Sequence, residues 1–224
     1  MTAPYAGSIS ERVNQVRARI EQACDRVGRD PSLVTLIAVS KTQDFTAIWA
    51  ALDAGIRDFG ENRVQEALEK QALFTDQPRW HMIGHLQSNK AKSAAGRFAI
   101  LHGIDSERLV RAVAGASSAE QTVMIEVNVS GEESKHGVAP VDLADLVKVA
   151  RSLPNVSLEG LMTVAPRCDH TEQVRAVFRQ LRELSEEHGL VSLSMGMTDD
   201  FEVATEEGAT HVRVGRAIFG ERLA

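Results

Sequence analysis

Lys41 follows the apolar run Leu33-Val-Thr-Leu-Ile-Ala-Val39 across a single serine. An amine lodged at the end of such a run loses hydration, which lowers its pKa and favours the neutral nucleophile that imine formation needs. A lysine in this place can equally pair with a carboxylate at a rim, and position alone does not separate the two. A second set of residues lies near the other end of the chain, in Ser194-Met-Gly-Met-Thr198 and Val212-Arg-Val-Gly-Arg216. Their glycines would let backbone N–H groups cradle an anion such as a phosphate, or would only permit tight turns.

Residues so far apart must be brought together by the fold, and the sequence alternates in a way that can do it. Apolar positions at helical spacing run from Ser8 to Gly28, where glycine and then Pro31 stop a first helix that has no strand before it. Strands are expected at Leu33 to Val39, Ile56 to Gly60, Arg79 to Gly84, Ala99 to Ile104, Thr122 to Val129, Val156 to Val164, Val191 to Met195 and His211 to Val214. Helices are expected between them, near Asp44 to Ala54, Asn62 to Phe74, Asn89 to Ala95, Ser106 to Ala116, Pro140 to Leu153, Thr171 to His188 and Asp199 to Glu207. Strands joined throughout by helices must run parallel, and about eight in series can close into a single (β/α)8 TIM barrel over residues 1–224. An open doubly wound sheet is the runner-up. The segment Phe219-Gly-Glu-Arg-Leu-Ala224 leaves no room for a helix after the last strand, so the spare N-terminal helix is expected to complete the helical ring.

In a barrel the C-terminal strand ends form one ring where chemistry gathers. That ring would hold Ser40 and Lys41, Glu61 and Asn62, His85, Asp105, Asn128 and Ser130, Thr163, Ser194 and Gly196, then Arg213, Gly215 and Arg216. His81 and His85 stand at i, i+4 but straddle a strand end, so no metal is expected there. Glu132-Glu133 with Lys135 and His136 reads as a solvated loop, and Trp49 and Trp80 read as packing residues.

The 43% hydrophobic and 25% charged composition is that of a soluble globular chain, and a net charge of −6 gives no general attraction to nucleic acid or anionic lipid. Cys24 and Cys168 have no metal-ligand spacing and are read as reduced thiols. Neither a leader nor a membrane span is evident, so a cytoplasmic protein is expected.

The phrases Ala38-Val-Ser-Lys-Thr42, Phe59-Gly-Glu-Asn-Arg-Val-Gln-Glu66 and Trp80-His-Met-Ile-Gly-His-Leu-Gln-Ser-Asn-Lys90 resemble the pyridoxal phosphate homeostasis protein family. So do Gly160-Leu-Met162, Leu193-Ser-Met-Gly-Met-Thr-Asp-Asp200 and Val212-Arg-Val-Gly-Arg-Ala-Ile-Phe-Gly220. The resemblance covers nearly the whole chain. It implies a fold type III barrel similar to the N-terminal domain of alanine racemase, with pyridoxal 5'-phosphate (PLP) held as a Schiff base on Lys41. By the same phrases Arg213 would face the pyridine nitrogen, Ser194 and the backbone around Gly215 would hold the phosphate, and Asn62 would lie beside the ring. Thr198 stands where the family often has serine. Arg216 stands where a small hydroxyl residue is frequent, and an arginine there is expected to pair with the phosphate by charge-assisted bonds.

An arginine at the pyridine nitrogen makes a weaker electron sink than a carboxylate does. The sequence stops at Ala224 and its only tyrosine is Tyr5, so no second acid/base domain is expected, and a complete racemase or decarboxylase is not. The favoured reading is a monomeric carrier in intracellular PLP homeostasis, handing the cofactor to apo PLP-dependent enzymes. The alternatives are a PLP enzyme with weak racemase-type or transaminase-like activity, and a cofactor-free aldolase-type barrel whose Lys41 attacks a sugar phosphate.

Overall fold

The structure is a computed structural model, and it describes residues 7–74, 78–132, 134–166 and 171–221. Tyr5, Glu133 and Cys168 lie outside the described residues. Strands β1 (Thr35–Val39), β2 (Asp58–Glu61), β3 (Arg79–Met82), β4 (Ile100–Ile104), β5 (Gln121–Glu126), β6 (Val156–Met162), β7 (Ser192–Ser194) and β8 (His211–Val214) pair in sequence order and close into a barrel. Every pair is parallel. Closure comes from β8 against β1, with Thr35 opposite His211 and Ala38 opposite Val214.

Helix α1 (Ile9–Val27) precedes β1, and α2 (Phe45–Asp53), α3 (Val64–Gln71), α4 (Ala91–Ala94), α5 (Glu107–Ala116), α6 (Leu143–Arg151), α7 (Arg175–Glu187) and α8 (Phe201–Glu206) fill the crossovers. Ser8 and Glu11 form a reciprocal capping box at the start of α1, and Gly28, with φ 66°, ends it in the left-handed conformation. Its buried stripe of Val13, Val16, Ile20 and Ala23 packs between α2 and α8, which completes the ring as the sequence implies. The ion pairs Arg19–Glu202 and Arg26–Glu206 on this contact are part-exposed and add little beside that apolar burial.

One expectation fails. A single helical turn, α9 (Arg216–Phe219), does follow β8 and packs on α1, where Arg12 Nε donates to the Ile218 carbonyl at 2.7 Å. Four residues are too few to show an apolar period, which is why the segment reads as too short for a helix.

The main apolar core lies between strands and helices, where Phe59, Trp80, Leu101, Val212 and Val214 meet Val16, Ile48, Phe178 and Phe201. The barrel interior is different. Ile100, Met124 and Met162 form a small separate apolar cluster, while His81, His102 and His211 stand together, with ring centroids 5.3 Å, 5.9 Å and 6.3 Å apart. Burial holds His102 neutral, far below the usual imidazole range, and pushes His211 down to about 4.

Two predictions follow from this packing. A Cβ on Gly160 would collide with the Ser192 carbonyl oxygen in the next strand, whereas one on Gly115 in α5 meets nothing within 4 Å. Gly160→Ala is expected to cost about 3 kcal/mol or more, and Gly115→Ala to gain up to about 1 kcal/mol, by urea unfolding. The histidines supply a pH dependence whose sign is fixed. Below about pH 6.5 the unfolded chain takes up a proton that folded His211 refuses down to about 4, so its contribution is lost as pH falls through that window. The loss from this one group is about 2 kcal/mol at pH 5, and His211→Asn should remove that part of the slope; an unchanged slope would count against the burial argument.

Candidate functional site

The loop leaving β1 carries Ser40, Lys41 and Thr42. Ser40 is fully buried, Lys41 is half-buried and Thr42 has φ 65°, a left-handed conformation that a β-branched residue adopts only under constraint. The constraint comes from α3. The Lys70 ammonium, 5% exposed, donates to the Ser40 carbonyl at 2.7 Å, to Glu61 Oε1 at 2.8 Å and to Glu66 Oε1 at 2.8 Å. Ser40 Oγ donates to the same Glu61 oxygen at 2.7 Å, and Thr42 N–H donates to Glu66 Oε1 at 2.6 Å. Burial pushes the Glu61 carboxyl up against the pull of Lys70 and Ser40. Burial also opposes ionisation of Glu66, yet the bonds from Lys70 and Thr42 outweigh it and hold that carboxyl low. One buried cation therefore clamps the two residues that flank Lys41.

Across the barrel seam, Arg213 of β8 is buried, and burial lowers its guanidinium to about 10, which leaves it charged at neutral pH. Its Nη1 donates to Ser194 Oγ at 2.6 Å and its Nη2 to the Thr163 carbonyl at 2.9 Å. Ser194 has no exposed surface, and its oxygen also lies 2.8 Å from His102 Nδ1. The expectation that Ser194 holds a phosphate does not fit this placement: its hydroxyl belongs to the interior and is committed to Arg213 and His102.

The two glycine turns stand at the seam. Gly196, at φ 90°, comes so close to α8 that a Cβ would lie 2.6 Å from that of Ala204, while its carbonyl accepts from Arg213 N–H at 2.9 Å. Thr198 is buried beside it. Asp200 Oδ1 accepts from Met197 N–H, and burial raises the Asp200 carboxyl. A Cβ on Gly215 would come 3.5 Å from the Val39 carbonyl of β1, so the glycine turn after β8 abuts the strand that leads into the Lys41 loop. Arg216 is exposed and its guanidinium pairs with Asp199, so the charge expected to meet a phosphate already has an acidic partner.

Asn62, after β2, is half-buried and its Oδ1 is buried without a hydrogen-bond partner. Gly84 lets the β3 loop approach it, since a Cβ there would be 2.6 Å from the Asn62 carbonyl. Glu126, at the end of β5, is buried with Oε2 unpartnered, and burial raises its carboxyl. Farther out on this side, His85 Nδ1 lies 3.1 Å from Asp105 Oδ2, and the His85 and His136 rings stack at 3.9 Å. Ligand atoms of His85, Asp105 and His136 lie within 4.8 Å of one another, so these three could reach one metal ion. His81 is not among them; it points into the barrel, which separates the i, i+4 histidines as the sequence implies. Lys135 donates to the Val164 carbonyl at 3.2 Å and pairs with Glu132. No helix among the described residues is long and apolar enough to cross a membrane.

Sequence reasoning missed Lys70, His102 and the role of Ser194. Lys70 looks like any helical surface lysine, and its nearness to Ser40 is tertiary. His102 did carry a signal, since strand alternation with Leu101 facing the helices puts it inward.

Residues 12–223 match the family model described as alanine racemase, N-terminal domain. Proteins named pyridoxal phosphate homeostasis protein are 44% identical over 95% of this chain and 97% of the relative in Aquifex aeolicus, and 45% identical over 96% of both in Pseudomonas aeruginosa. PipY of Synechococcus elongatus, solved with PLP bound, superposes with a TM-score of 0.79 at 38% identity, over 95% of this chain and 100% of PipY. Alanine racemase from Corynebacterium glutamicum shares the fold at TM-score 0.70 and 17% identity, with 96% of this chain covering 61% of the racemase. The chain belongs to the pyridoxal phosphate homeostasis protein family, one branch of the barrels built like the alanine racemase N-terminal domain.

Proposed function

We propose that this protein binds PLP covalently through Lys41 Nζ and acts as a cytoplasmic carrier in PLP homeostasis. The observation that supports this most is the convergence at the β8–β1 seam: the clamped Lys41 loop, the Gly196 and Gly215 turns, and a buried arginine, not a carboxylate, beneath them. PipY, an overall match at 38% identity, has been solved with PLP bound. The residues fit the cofactor. Backbone at Gly196 and Gly215, with the Thr198 hydroxyl, would receive the phosphate, Arg213 would face the pyridine nitrogen, and the unpartnered Asn62 Oδ1 would meet a polar group at the ring edge. Arg216 takes part only if it leaves Asp199.

When bound, PLP supplies an electron sink for amino-acid chemistry. A guanidinium facing its ring nitrogen cannot accept or share a proton as a carboxylate would, so the sink is weak and holding is favoured over turnover. The His85–Asp105 pair supports a second reading, low racemase-type turnover, because it sets an acid/base couple on the far side of the mouth. Recipients under the carrier reading are apo PLP-dependent enzymes.

Incubation with PLP should give an absorbance band that borohydride abolishes, with the label mapped to Lys41. Lys41→Ala should lose the label entirely; a label retained elsewhere, on Lys135 for example, would overturn the assignment. Turnover of alanine above the free-cofactor rate would favour the second reading. Lys70→Met should destabilise the fold by about 3 kcal/mol, because it leaves Glu61 buried without its cation, and should slow labelling of Lys41.

A further inference from the structure

A chain of hydrogen bonds crosses the barrel interior. From the mouth inward it runs Arg213 Nη1 to Ser194 Oγ (2.6 Å), Ser194 Oγ to His102 Nδ1 (2.8 Å), His102 Nε2 to His81 Nδ1 (3.1 Å) and His81 Nε2 to Asp58 Oδ1 (2.9 Å). Asp58 Oδ2 accepts from Arg79 Nη2 at 2.6 Å, and both residues line a cavity of about 450 Å³ at the opposite face of the barrel. Asp58, His81, His102, Ser194 and Arg213 are all buried.

The two ends fix the direction. A guanidinium only donates, and an ionised carboxylate only accepts. Ser194 Oγ therefore accepts from Arg213 and is free to give its own proton to His102 Nδ1. That makes Nε2 the protonated nitrogen of neutral His102, donating to His81 Nδ1, and His81 donates from its own Nε2 to Asp58. Every donor points toward Asp58. Reversing the middle of the chain would need two protons on His81 and would leave Ser194 accepting twice, with its own proton seeking a third partner. Burial weighs against ionisation of Asp58, but bonds from His81 and Arg79 outweigh it and hold the carboxyl below its usual range.

We propose that His81 and His102 are positioning residues for Arg213: through this one-way chain, anchored on Asp58, they keep Ser194 an acceptor and hold the guanidinium in one orientation beneath the mouth. The consequence for the cofactor rests on the reading above, in which Arg213 meets the pyridine nitrogen. A mobile Arg213 could move away from that nitrogen. A held one sets the ring's electronic state and keeps the cofactor in place.

The chain can be tested without any ligand. Long-range ¹H–¹⁵N correlation spectra of the histidine-labelled protein at neutral pH should show His81 and His102 neutral and protonated at Nε2. An Nδ1–H tautomer at His102, or a charged His81, would overturn the proposal. The effect on the site is read with added PLP. His102→Leu, which cannot relay, should weaken PLP retention about tenfold and shift the absorbance band, the value of one hydrogen bond to a charged group. His102→Gln, whose amide can accept from Ser194 and donate to His81, should restore both. If His102→Leu fails to fold, Asp58→Asn tests the same chain from its far end. Variants that fold and keep wild-type retention and spectrum would sink the positioning role. A wild-type protein that forms no borohydride-reducible linkage would instead sink the cofactor reading, and the tautomers would still decide the chain.

Discussion

The pairing of β8 with β1 is the constraint on which the rest depends. Lys41 and Arg213 are 172 positions apart in sequence, yet Ile37 lies opposite Arg213 and Ala38 opposite Val214. Without closure the lysine loop and the glycine turns after β7 and β8 would sit on opposite edges of an open sheet. Closure also removes both edges of the sheet, so among the described residues no strand of the barrel is an edge strand. The spare helix α1 belongs to the same event, because it covers the seam from outside by packing between α2 and α8.

Closure has an interior cost. Barrels of this kind usually fill their centre with branched apolar side chains. Here β3, β4 and β8 turn His81, His102, His211 and Arg213 inward, and a buried guanidinium without partners would cost several kcal/mol. The compensation is the set of bonds to Ser194 and Thr163, with the histidines handing the polarity on to Asp58 near the opposite face. Such a network rigidifies the interior only when each member is satisfied, and each hydrogen bond from Arg213 to Asp58 has a donor and an acceptor once the two ring tautomers are assigned.

The barrel and its element order were legible because parallel strands buried on both faces give apolar runs and amphipathic helices separate them. Strand ends agree within about two residues in most cases, and β8 agrees at both ends. The position of Lys41 in the ring was legible for the same reason. What the sequence concealed is what tertiary contact decides. Lys70 becomes a buried clamp only because α3 lies against the Ser40 loop. The resemblance gives Ser194 to the phosphate, yet a hydroxyl before a glycine turn has two possible audiences, the mouth and the barrel centre. Its parity with inward residues decided for the centre, and that parity could have been read once Arg213 was placed inward beside it.

The site is divided unevenly around the mouth, and the division bears on function. On the β7, β8, β1 and β2 side, Ser194 with Arg213 and Glu61 with Lys70 are two buried, bonded pairs, and the backbone of the Gly196 and Gly215 turns stands beside them at the seam. On the β3 to β5 side, His85 and His136 are exposed, and the Glu126 carboxylate has an oxygen without a partner. A cofactor gripped on the first side would be held by preorganised groups that need not move. On the second side Asp105 meets His85, whose ring stacks on His136, and both imidazoles are exposed to solvent. Catalysis rewards groups positioned for the transition state, and holding rewards groups positioned for the bound ligand. The buried, bonded half of this mouth is the half that the carrier reading uses.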